Sequence, residues 1–388
     1  MEFRFTEEQQ MIRDTAEAFL AEVSTPAAVR EAMVTERGYS EALWQQISQD
    51  MMWPALHIPE AFGGLGLGFV ELAATQEQMG RTLLCAPFLS TVGFAVNALL
   101  VAGSEAQQTR YLGDIASGKT ATLAFMAPGS RPDADAIQAT CTVDGDGFLL
   151  NGEYRYVLDG HTADILVLAV REPGSAGTEG ISLFVLPADT AGISRQWLPT
   201  MDQTRKQARI VLDTVRVEGD ACMAAPGQAW PALAKILDLA TVALAAEQVG
   251  VAQQSLDSSV AYTTERVQFG RTIASYQAIK HKAADMMLKV EAARSAAYYA
   301  ACIADEALAG RPLGSGLAEA ASIAKAYCSE AAFFNAGSGI QLHGGVGITA
   351  EYDIQLYFKR AKSTETLLGD AAWHRERLAR QLLDGGVA

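Results

Sequence analysis

Glu247 is a carboxylate set inside an otherwise apolar helical run, Leu239-Ala-Thr-Val-Ala-Leu-Ala-Ala-Glu247-Gln-Val-Gly-Val. Hemmed in by Ala, Leu and Val, such a group loses hydration on burial, which raises its pKa and suits it to accept a proton near neutrality. The alternative is an ordinary glutamate pointing outward between Ala246 and Gln248. Two glycine-rich stretches invite a phosphate-loop reading and fail it. Glu60-Ala-Phe-Gly-Gly-Leu-Gly-Leu-Gly68 does not complete Gly-x-Gly-x-x-Gly and has no strand before it. Gly345-Val-Gly-Ile-Thr-Ala350 does fit Gly-x-Gly-x-x-Ala, but it follows a helical run where the fingerprint demands a strand. Cys85, Cys141, Cys222, Cys302 and Cys328 are scattered without Cys-x-x-Cys or Cys/His spacing, so no metal site is expected and reduced thiols are.

These groups must be positioned by a chain of 388 residues, long enough for two or three domains. Its net charge of -15 disfavours nucleic acid and anionic membranes as partners, while leaving room for one local basic site. The start, Met1-Glu-Phe-Arg-Phe-Thr-Glu-Glu, lacks the basic and apolar segments of a secretory leader, and no apolar run reaches membrane-helix length. A cytoplasmic protein is expected.

Thr6 followed by Gln9 reads as a capping box at the head of a helix. Further helical runs follow around 40–51, 70–84, 92–101 and 106–116. Near Lys119 the period becomes alternating, with short strands at 120–126, 139–143, 148–152, 164–170, 181–186 and 209–213. After Pro226-Gly the chain is helical again over 229–264, 276–309, 316–340 and 353–383. The expected architecture is α+β: an N-terminal helical domain at 1–118, a central β-domain (barrel or sandwich) at 119–223, and a C-terminal four-helix bundle at 224–388.

That order, together with Glu265-Arg-Val-Gln-Phe-Gly-Arg271, Ser275-Tyr-Gln277, Gln341-Leu-His-Gly-Gly-Val-Gly347 and Glu351-Tyr-Asp, resembles the acyl-CoA dehydrogenase family over essentially the whole chain. The resemblance implies α,β-desaturation of an acyl-CoA thioester, with a carboxylate taking the α-proton and N5 of FAD taking the β-hydride. By position, Arg266 would meet the FAD pyrophosphate of a neighbouring subunit, for which its fork of donors is suited. Phe269 would pack on the adenosine, and Gln277, Gln341 and Gly345 would line the same cofactor. An electron-transfer flavoprotein is the implied electron acceptor.

The sequence also departs from the family pattern. The usual place of the catalytic Glu reads Leu367-Leu-Gly-Asp370, with Leu368 at the base position, and a second family location falls on Ala240. Glu247 lies seven residues beyond Ala240, about 20° short of two full turns and roughly 10 Å further along the same helix face. It is the expected base, with Asp370 in reserve. The flavin-facing segment matches Met126-Ala-Pro-Gly129, and the residues that flank the ring match Tyr156 and Leu158. Met126 and Leu158 offer no hydroxyl, and a substrate-side Arg of the family is Thr241 here. Asp202-Gln-Thr-Arg205 is expected to hold structure. Family members acting on steroid-like acyl-CoAs resemble this chain in the Glu-Gln-x-Gly helix and the Leu-Gly-Asp ending, and many are mixed assemblies of two related subunits. The expectation is therefore a homo-oligomer or a heterotetramer with a paralogue. In it the chain either desaturates an acyl-CoA with Glu247 or completes a shared FAD site without supplying the base.

Overall fold

The computed structural model describes residues 5–129, 131–311 and 316–383; the first residues of the leader reading lie outside that range. The chain forms two compact units, each discontinuous in sequence. One comprises Met1–Glu31, Phe69–Leu84 and Thr241–Ala388; the other comprises Ala32–Gly68 and Cys85–Ala240. In chain order the helices are α1 (Glu7–Val23), α2 (Pro26–Met33), α3 (Glu41–Gln45), α4 (Phe69–Arg81), α5 (Asn97–Ala102), α6 (Glu105–Gln107), α7 (Gly113–Ala116), α8 (Trp230–Glu265), α9 (Gln277–Leu308), α10 (Leu317–His343), α11 (Ile354–Thr366) and α12 (Ala371–Leu383). The strands are β1 (Ala121–Ala124), β2 (Thr140–Asp144), β3 (Gly147–Leu158), β4 (Ile165–Arg171), β5 (Ile181–Pro187), β6 (Ile193–Leu198), β7 (Gln207–Glu218), β8 (Cys222–Met223), β9 (Val267–Gln268) and β10 (Arg271–Thr272).

The second unit is built on a mixed sheet in the order β6-β7-β3-β2-β4-β5-β8, with β1 running parallel to β4. Strands β4 and β5 are continuous apolar runs, Ile-Leu-Val-Leu-Ala-Val and Ile-Ser-Leu-Phe-Val-Leu, because both of their faces are buried. The sheet core gathers Leu150, Tyr154, Leu166, Leu168, Phe184 and Ile210, and the Tyr154 hydroxyl donates to the Ala169 carbonyl at 2.9 Å. Strand β3 pairs antiparallel with β7 and slips register twice, between Leu150 and Gly152 and between Tyr154 and Val157. At the second bulge Tyr156 takes φ 61° and turns out of the sheet. The short strand β6 lacks a strong sequence signal because none of its residues is fully buried and polar Ser194, Arg195 and Gln196 sit at its centre. Three of the expected helices, around 40–51, 92–101 and 106–116, contain wide π-type turns at Gln46–Asp50, Leu89–Val96 and Gln108–Leu112.

In the first unit the Thr6 capping box is formed, with Gln9 N donating to Thr6 Oγ1 and Gln9 Oε1 accepting from Thr6 N. Helices α8, α9 and α10 run long and Ala-rich. Asn335 on α10 ties them together by donating to the carbonyls of Ala252 on α8 and Met286 on α9, at 3.1 and 3.2 Å. The expected single helix over 353–383 is corrected to two. Leu367 is extended, and Leu368 and Gly369 adopt φ 60° and 95°, which a continuing helix cannot accommodate. Glycine at 369 makes that reversal possible.

Candidate functional site

Helix α8 buries Glu247 to 1% exposure, as the apolar run around it dictates. The carboxylate is not left unpaired there. Its Oε1 accepts from Arg360 Nη1 of α11 at 2.9 Å, and its Oε2 accepts from Gln76 Nε2 of α4 at 2.9 Å. Arg360 is also 1% exposed. A guanidinium at that distance favours the ionised carboxylate, so the feature that was to make Glu247 a base, uncompensated desolvation, is absent. Both of its oxygens are thus engaged within a buried helix junction, an arrangement that suits a structural carboxylate.

The neighbouring motif residues serve the same junction. Gln248 Nε2 donates to the Thr364 carbonyl at 3.0 Å. A Cβ on Gly250 would collide with the Glu77 carbonyl, and one on Gly80 would collide with the Glu247 carbonyl. The two glycines let α4 and α8 approach backbone to backbone. Glu-Gln-x-Gly is thus a helix-crossing motif in this chain.

Leu368, which the resemblance aligns with the base position, is 3% exposed on the reversal between α11 and α12. That reversal is held from beneath. Lys325 Nζ on α10 donates to the carbonyls of Glu365 and Gly369 at 3.0 and 2.8 Å, and His374 Nε2 lies 2.9 Å from the Leu368 carbonyl. Burial pushes Lys325 down to about 7 and His374 down to about 3, the latter with added repulsion from Lys325. Asp370, the reserve base, is exposed and accepts from Trp373 N at 2.8 Å, which caps the first turn of α12. Arg360, Gln76, Lys325 and His374 escaped the sequence reading. The signal for a cation near Glu247 was the burial itself, since a buried carboxylate requires a partner.

Of the residues expected at the cofactor, Arg266, Phe269, Gln277, Gln341 and Gly345 lie at one end of the bundle, where α8 and α10 finish and α9 begins. Tyr262 near the end of α8 stacks on His343 of α10 with ring centroids 4.3 Å apart, bringing Arg266 and the Gln341–Gly345 segment to the same end. Arg266 leads into the β9–β10 hairpin, whose tip Phe269 has φ 53° and is 93% exposed. Arg271 lies over the Tyr276 ring at 3.8 Å and braces the hairpin against the start of α9, where Gln277 is exposed. Gln341 is exposed too, and a Cβ on Gly344 or Gly345 would meet nothing within 4 Å. An exposed guanidinium, an exposed ring and open glycine backbone fit the diphosphate and adenine of a dinucleotide.

In the other unit, the Met126 carbonyl accepts from Arg155 N at 3.0 Å and its side chain is half-buried. Tyr156 keeps 48% of its surface and can stack on a ring. Leu158 is buried, its carbonyl accepting from Thr122 Oγ1 at 2.7 Å, so it presents no face for a ring. Asp202 Oδ1 accepts from both N and Oγ1 of Thr204, which fixes a tight turn before β7.

Two family models match: the acyl-CoA dehydrogenase N-terminal domain over residues 6–119 and the C-terminal domain over 227–383. Acyl-CoA dehydrogenase IpdE2 of Mycobacterium tuberculosis is 35% identical over 362 residues, 93% of this chain and 93% of that protein. The butyryl-CoA dehydrogenase of Megasphaera elsdenii superposes with a TM-score of 0.91 at 26% identity, covering 99% of this chain and 100% of that one. A chain of the ChsE4-ChsE5 complex of M. tuberculosis superposes with a TM-score of 0.87 at 26% identity, covering 98% and 99%. Among the described residues no helix is long and apolar enough to cross a membrane. The chain belongs to the acyl-CoA dehydrogenase family of flavin-dependent oxidoreductases.

Proposed function

We propose that this chain is one subunit of an FAD-dependent acyl-CoA dehydrogenase whose active site is completed by a related subunit. In this reading it contributes the cofactor-holding arm and not the base. The observation that carries the reading is the Glu247 junction. Glu247, on the helix face of Ala240, has both oxygens occupied by Arg360 and Gln76, while positions 240 and 368 hold Ala and Leu. Neither residue can take a proton, so the carboxylate that accepts the α-proton of the acyl thioester comes from the partner.

FAD, when bound, accepts the β-hydride at N5. This chain's part is to bind and orient. Arg266 would neutralise the pyrophosphate of a neighbouring subunit's FAD, Phe269 would cover its adenosine, and Gln341, Gly345 and Gln277 would complete that end. Tyr156 offers a stacking face on the sheet side, and the Met126 segment supplies backbone donors and acceptors rather than a hydroxyl. The two-chain ChsE4-ChsE5 complex is consistent with a mixed assembly. Reoxidation by an electron-transfer flavoprotein follows from the family resemblance, and the five free cysteines suit a reducing cytoplasm. A bulky, steroid-like acyl group is the substrate class that the Glu-Gln-x-Gly and Leu-Gly-Asp resemblance favours.

The test is the visible spectrum of the purified chain, alone and after mixing with a paralogous subunit. The reading expects a colourless, inactive protein that gains flavin and desaturase turnover on mixing. About one flavin per chain together with turnover in isolation would overturn it.

A further inference from the structure

Arg171, the last residue of β4, is 8% exposed, and every acceptor it reaches among the described residues is a backbone carbonyl. Its Nε donates to the Ile137 carbonyl. One Nη2 hydrogen goes to Ala134 O at 2.6 Å and another to Gly177 O at 3.0 Å, while Nη1 donates to Ser175 O at 3.0 Å. Its own backbone N–H donates to Ala139 O at 2.8 Å, and it forms the single register pair, with Thr140, that joins β2 to β4. The planar fork therefore stitches two loops, 134–137 and 175–177, in directions a lysine ammonium cannot span. Asp135 adds a second tie between them by accepting from Gly177 N at 3.2 Å.

The loop so held has a specific neighbour. Residues Ala134–Ala136 form one 3-10 turn whose Ala136 carbonyl accepts the Ala127 N–H at 2.8 Å, and Ala127 directly follows Met126. The chain of contacts runs from the guanidinium to the buried turn, from the turn to Ala127, and from there to the Met126–Gly129 segment. A buried charge satisfied only by carbonyls is costly to place for stability alone, whereas one that fixes two loops sets a backbone position.

We propose that Arg171 is a positioning residue: through the Ala134–Ala136 turn it fixes the backbone of Met126–Gly129 against the flavin ring. This rests on the proposed FAD reading. Arg171→Lys keeps the charge and removes the fork. The full chain with this change should keep its far-ultraviolet circular dichroism yet exchange the Ala127 amide about tenfold faster. Its assembly with the partner subunit should bind FAD about tenfold more weakly, with the vibronic shoulder of the flavin band blurred. Asp135→Ala, which removes an exposed tie and no buried charge, should shift both readouts in the same direction by less; it serves alone if Arg171→Lys does not fold. Unchanged Ala127 exchange, or faster exchange with FAD affinity and band shape unaltered, overturns the proposal. If the wild-type assembly takes up no flavin, the FAD reading fails and exchange alone judges the clamp: acceleration sustains it and no change refutes it.

Discussion

Arg360 Nη1 sits 2.9 Å from Glu247 Oε1, and neither side chain is more than 1% exposed. This pairing separates two roles that burial alone leaves joined. A buried lone carboxylate is a base in waiting; a buried carboxylate with a guanidinium on one oxygen and an amide on the other is a structural element. Breaking it from one side leaves an uncompensated charge. Glu247→Ala or Arg360→Met should each lower the unfolding free energy by about 3–5 kcal/mol. Denaturant titration of single and double variants should show strong non-additivity, the double variant recovering most of the loss.

The glycine pair at the same crossing gives a second expectation. Gly80→Ala and Gly250→Ala each drive a methyl into a backbone carbonyl of the facing helix, Glu247 and Glu77 respectively, which no rotamer change relieves. Both should lower the thermal midpoint more than Gly113→Ala, where an added Cβ meets open space. Equal midpoints for the three variants would show that the crossing has slack.

Lys325 gives the reversal at Leu368 a pH signature. Burial lowers its pKa from 10.5 to about 7. Between those values the unfolded chain holds a proton that the folded chain has released, so stability rises with pH through that window and is lowest and flat below it. The slope from this one group is about 1.4 kcal/mol per pH unit. Urea midpoints at two pH values inside the window and one below it should show the rise in the wild type and its loss in Lys325→Met.

The hairpin arm should be dispensable for folding and needed for cofactor uptake. Phe269 is 93% exposed, so Phe269→Ala leaves the thermal midpoint of the isolated chain unchanged. Arg266→Ala removes a charge-assisted pair to a diphosphate and should weaken FAD binding by the assembly at least about tenfold, as read by flavin fluorescence titration.

The order of helices, strands and bundle was legible because period and composition change sharply near Lys119 and again after Pro226. Strands β4 and β5 were legible as short strands between turn residues, and the Thr6 cap as a four-residue motif. The break at Leu368 was hidden because leucine at φ 60° has no sequence signal; only Gly369 hinted at it. The site was half legible. The exposed arm of Arg266 and Phe269 is local in sequence, so its exposure and its hairpin are set by one short motif. The role of Glu247 depends on Arg360 and Gln76, respectively 113 and 171 positions away along the chain, and no local pattern reports such a pairing.

The most direct measurement is the turnover of the full assembly carrying Glu247→Gln together with Arg360→Met in this chain, a change that removes the carboxylate without stranding a buried charge. With fold and flavin content matched to wild type, the account predicts α,β-desaturation within about threefold of wild type. Loss of a catalytic base would instead cost about a hundredfold or more, and that result would contradict it.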